Sequence, residues 1–103
     1  MAAQLRSVLE RFAELTLTFR ATRQRALVVA HASTYMEAAG HLVVAWIWLS
    51  QVLRTRSTGS DFYSGKRAAA AFFYAYELPK ARVQLELLSS LDRTVAEVRP
   101  TWF

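Results

Sequence analysis

The sequence predicts an all-α protein, a small antiparallel helical bundle of three to four helices with a long central helix. Three observations lead there. Glycine and proline are scarce, three and two in 103 residues. No Asn-Gly or similar hairpin signal occurs, and alternating apolar–polar runs are absent. Apolar residues instead recur three and four apart along most of the chain, the spacing of a helix face.

The length suits one domain, residues 1–103, with one core. A chain this short buries a modest share of its surface. Yet 53% of its residues are hydrophobic and 13% aromatic, too apolar for intrinsic disorder. Something outside the chain is expected to cover part of that surface.

The first helix is expected over about residues 3–22. Leu5, Val8, Leu9, Phe12, Leu15 and Phe19 form its stripe, and Arg6, Glu10, Arg11 and Glu14 fall outside it. The polar, basic stretch Ala21–Arg25 is read either as a short connection or as a continuation of the helix. The second helix, about 26–55, would be roughly 45 Å long, with Gly40 the expected place for a bend. Ser57-Thr58-Gly59-Ser60 is a loop. A third helix starts near Asp61, capped by Ser60 or Asp61. Phe62, Ala69, Phe73 and Tyr76 are its expected stripe. Pro79 cannot donate to the helical ladder, so a kink or an end is expected just before it, near 78. A fourth segment, 80–91, carries Val83, Leu85, Leu87, Leu88 and Leu91. The tail, 92–103, ends on Trp102 and Phe103.

The second helix raises the sharpest question. Residues 40–49 read GHLVVAWIWL, with eight apolar side chains in succession from Leu42. At 100° per residue, His31, Tyr35, Ala38, Ala39, Leu42, Trp46, Leu49 and Leu53 share a face, the expected core stripe. Val44, Ile47 and Trp48 fall on the other side, with Ser33, Glu37, Gly40 and Gln51. This half of the helix is apolar all round, the pattern of a helix covered on every side. A membrane span needs about 20 apolar residues. The run is too short and is bounded by Glu37, His41, Ser50 and Gln51, so no span is expected. The expectation is a second contact through Val44, Ile47 and Trp48, with Trp102 and Phe103 either a further anchor or folded back on the bundle.

No catalytic, cofactor-binding or metal-binding residue is identified. The absence of cysteine rules out thiolate zinc sites, disulfides and a cysteine nucleophile, and fits a cytoplasmic protein. His31 and His41, ten residues apart on one helix, would stand about 15 Å apart and cannot share a metal. Glu37 and His41, four apart, can touch, but two ligands are too few for zinc. No carboxylate sits in a general-base motif. The glycines are isolated, so no phosphate loop exists, and SGKRAAAAF lacks the upstream glycine and strand that such a loop needs. The net charge of +5 is concentrated in residues 1–57, with seven arginines against three glutamates. Arg20, Arg23, Arg25, Arg54 and Arg56 sit at helix ends, suited to the C-terminal dipole. They do not form the exposed reading face of a recognition helix, so nucleic acid is not an expected partner.

The order of the motifs adds a resemblance. AHASTYMEAAGHLVVAWIWLSQVL, then DFYSGKRAAAAFFYAYELPKA, then LLSSLDRT and a terminal WF resemble the extra C-terminal helical domain of a branch of bacterial acyl-CoA dehydrogenases, the 3-methylmercaptopropionyl-CoA dehydrogenase-like enzymes. It covers roughly residues 26–103, with Gly40-His41, Asp61-Phe62-Tyr63, Phe72-Phe73 and Glu77-Leu78-Pro79 as linked signatures. The resemblance implies a role in flavin-dependent α,β-dehydrogenation of acyl-CoA, an oxidoreductase reaction of fatty acid metabolism. FAD and the catalytic glutamate would belong to other domains, and no glutamate here matches that base. This chain would then be a non-catalytic domain that packs on the catalytic body or supports oligomerisation. The alternative is a free-standing helical module that self-associates through the second helix.

Overall fold

The computed structural model describes all residues, Met1–Phe103, and is all-α with no strand. Helix α1 spans Ala2–Ala21, α2 Arg25–Ala30, α3 Ala32–Thr55, α4 Asp61–Phe72 and α5 Leu78–Ser89. A π-helical turn, Phe73–Glu77, joins α4 to α5, and a 3-10 turn, Pro100–Trp102, closes the tail.

Two expected boundaries are corrected. The helix expected over 26–55 is interrupted at His31, where the backbone leaves helical geometry (φ −102°, ψ 6°). It then runs unbroken through Gly40, the expected bend. Nor does Pro79 end its helix. The chain stays helical from α4 into α5 because the π turn takes up one extra residue, with Leu78 N–H donating to the Phe73 carbonyl. A π turn relieves the clash and missing donor that proline brings to a regular ladder. The buried stripe runs through it: Ala70 is buried before the turn, Tyr74 within it, and Leu78, Ala81, Leu85 and Leu88 after it.

The inward face of α4 is one residue off the expected stripe. Phe62, Ala69 and Tyr76 are exposed and Phe73 only edges the core, whereas Ala70 and Tyr74 are buried. In α5, Leu85 and Leu88 are buried but Val83 and Leu87 face solvent. In α1, Leu5, Val8 and Leu15 are buried and Leu9 is not.

Cross-helix contacts give the layout. Tyr74 Oη donates to the Ala45 carbonyl at 2.7 Å. Gln84 Nε2 donates to Glu37 Oε2 at 2.6 Å. Arg67 Nη1 donates to the carbonyls of Thr55 (2.7 Å) and Thr58 (3.0 Å), satisfying the free end of α3. Pairs 37–84, 45–74 and 55–67 make α3 antiparallel to α4–α5. Helix α1 lies against both: Phe12 and Phe19 pack on Tyr35, Thr16 and Tyr35 share a 2.8 Å hydrogen bond, and Arg82 reaches Ser7. At the cap of α4, Ser60 Oγ accepts from the Tyr63 N–H.

The result is a slab. Its extents are 61 × 30 × 14 Å and its radius of gyration is 17.5 Å, where a compact chain of this length would have about 13 Å. Only 13 of 103 residues are buried. Every long helix thus has uncovered sides.

Candidate interaction surface

Part of that uncovered surface lies beyond the N-terminal end of α1. Gln4 and Val8 stand beside Leu78, Pro79 and Arg82. The pairs 41–77 and 45–74 place Leu78 level with His41 and Leu42. The first turn of α1 therefore covers α3 only as far as Leu42, and the rest of α3 has α4 as its one long neighbour. The α3–α4 hairpin projects beyond α1 like a ledge.

This explains the first correction to the expected core stripe. Tyr35, Ala38 and Leu42 are covered, as their phase requires, but Trp46 in the same stripe is 62% exposed and Leu53 is also exposed. Leu49, between them in the stripe, still packs against the core, so the cover thins past Leu42. The second correction concerns Trp48. It was expected to face outward, but it sits in the cleft between α3 and α4, packed against the core edge with Lys66 Nζ 5.9 Å from its ring centroid. The same ammonium lies 5.4 Å from the Phe62 ring, so one lysine roofs two aromatics from different helices.

Val44 and Ile47 lie exposed on the side of α3 away from α1 (39% and 43%). Val44 shares a shallow groove with Glu37, Gly40, His41 and Phe73. Trp102 and Phe103 are both exposed, Phe103 at 95%. The tail is held upstream of them, where Arg93 Nη1 donates to Gln24 Oε1 and His31 Nε2 lies 2.8 Å from the Asp92 carbonyl. Phe72 and Tyr76 stack on one another, both exposed. The expected stripe of the third helix places Tyr76 inward, and Phe72 is not part of it.

The polar groups near the groove form structural links. His41 Nδ1 donates to the backbone carbonyl of Glu37 at 2.9 Å, so the two side chains, four apart, do not pair. The carboxylate facing His41 is Glu77, 3.6 Å from Nε2. Lys80 donates to both Glu77 oxygens at 3.0 and 3.1 Å. Lys80, and after it His41, holds the Glu77 carboxyl below its ordinary value despite some desolvation. In Asp92 the side-chain and backbone hydrogen bonds from Thr94 do the same. No three His, Asp or Glu side chains gather as a metal-binding group. By length and composition alone, α3 is apolar enough to cross a membrane, with a mean hydropathy of 1.3 over its best window. The bonds it receives from Tyr74, Gln84 and Arg67 are those of a helix packed on protein.

What the fold assembles is a thin helical slab, with polar links within it and aromatic and aliphatic side chains on its surfaces. Residues 1–99 match the family described as "Acetyl-CoA dehydrogenase C-terminal like", and the chain belongs to that family. No curated protein and no solved structure matches it.

Proposed function

We propose that this chain is a non-catalytic helical domain that serves an FAD-dependent acyl-CoA dehydrogenase of the 3-methylmercaptopropionyl-CoA dehydrogenase-like branch, by packing on its catalytic body. FAD and the catalytic base belong to that body. Family membership supports the dehydrogenase setting, and one observation carries the packing role. Past Leu42 the stripe of α3 is covered only in part: Leu49 packs against the core edge, while Trp46 and Leu53 lie exposed. Fully burying one such side chain contributes about 1.5–3 kcal/mol, so the ledge is a favourable seat for a second protein surface.

The test mixes the purified chain with a dehydrogenase body of this family that lacks its own C-terminal helical domain. Sedimentation is expected to show a complex, weakened at least ~10-fold by Trp46→Glu, as for an anchor worth 1.4 kcal/mol or more. The chain alone is expected to show no flavin absorbance and no acyl-CoA oxidation. Stoichiometric flavin in the isolated chain, or no complex at any concentration, would sink the proposal.

A further inference from the structure

We infer that the face of α3 turned away from α1 is a contact for a second copy of this chain, packed antiparallel across a twofold axis between Ala45 and Trp46. The inference is independent of the dehydrogenase reading, since it concerns a different side of the helix.

The face is a heptad seam. Glu37, Gly40, Val44, Ile47, Gln51 and Arg54 follow one another at alternating steps of three and four, the repeat that keeps one line of a helix against another. All six are exposed. The seam is also self-complementary in one direction only. Antiparallel pairing about its midpoint sets Val44 on Ile47 of the second copy, Gly40 on Gln51, and Glu37, one of whose carboxylate oxygens already accepts from Gln84 of its own chain, beside Arg54. Parallel pairing would set Glu37 against Glu37 and Arg54 against Arg54, and like charges repel. A self-complementary patch is what a twofold contact requires.

Gly40 adds a second argument. Glycine weakens a helix interior, and a Cβ here would meet nothing within 4 Å. No packing within the chain calls for a glycine. A second helix crossing at this point does, because the missing side chain lets the backbones approach. Phe73, in the same groove as Gly40 and Val44, would border the centre of the contact. The broad side of the slab, 61 × 30 Å, has room for the roughly 800 Å² that each partner contributes to a standard interface.

The experiment is sedimentation equilibrium on the purified chain at low ionic strength, with circular dichroism to verify that each variant keeps its helices. The expected species is a dimer of the 11.7 kDa chain. Ile47→Glu is expected to weaken it ~10-fold or more, and Trp46→Glu to leave it unchanged. Glu37→Arg and Arg54→Glu are each expected to weaken it by roughly 3-fold, and the double reversal to restore it. A chain monomeric at every concentration overturns the inference. So does a dimer indifferent to Ile47→Glu, or a double reversal no better than the single ones. Because body binding is read through Trp46, either proposal can fail without the other.

Discussion

Tyr74 ties the π turn between α4 and α5 to α3 through a single atom. Its ring is buried and its hydroxyl donates to the Ala45 carbonyl. Burial holds the phenol above its ordinary value. The folded state thus prefers the neutral phenol, so the stabilisation is complete below about pH 10 and is lost as pH rises further. Tyr74→Phe is expected to cost about 0.5–1.5 kcal/mol and to remove part of the alkaline destabilisation, read by denaturant titration against pH. Glu77 behaves oppositely. Its depressed value means that its contribution is present above the ordinary glutamate range and lost as pH falls below about 4. Glu77→Gln is expected to flatten that acid limb, checked by thermal melts between neutral pH and about pH 3. The effect will be small, because the carboxylate is partly exposed and its Lys80 partner lies at the surface.

At the scale of elements, α5 is the keystone. It packs against both α3 and α1, and Leu78, Leu85 and Leu88 are its most deeply buried large side chains. Leu85→Ala is expected to cost about 2–5 kcal/mol, a large part of the about 5–15 kcal/mol by which small domains are stable. Equilibrium unfolding in urea will measure it. Gly40→Ala should act in the other direction. It replaces a poor helix former in α3 where the added methyl meets nothing, so the monomer should gain up to about 1 kcal/mol. Melting at a concentration low enough to keep the chain monomeric should show a midpoint several degrees higher.

At the scale of the whole molecule, thickness is the governing quantity. At 14 Å, the slab is little more than one helix diameter deep, about 10–12 Å. Its helices cannot all be covered by one another. Small-angle scattering from the monomer is expected to give a radius of gyration near 17.5 Å. A value near the ~13 Å of a compact chain would mean that the ledge folds back in solution, and the uncovered Trp46 stripe would then need another explanation.

Periodicity was enough to establish the all-α class, the loop at residues 57–60 and the inward phase of Tyr35, Ala38 and Leu42. These follow from local rules, the 3.6-residue turn and the chemistry each residue type can support. The order of the motifs also made the dehydrogenase C-terminal family legible. Three things needed the tertiary structure. Which face of α4 turns inward was undecidable from spacing, because Phe62, Ala69, Phe72 and Tyr76 form as good a stripe as Ala70 and Tyr74. The π turn before Pro79 leaves no mark in the apolar spacing, from which a kink or an end is expected there. The exposure of Trp46 depends on where α1 begins relative to α3. Periodicity tells a helix which side to bury; only the packed neighbours determine how far along its length that side is covered.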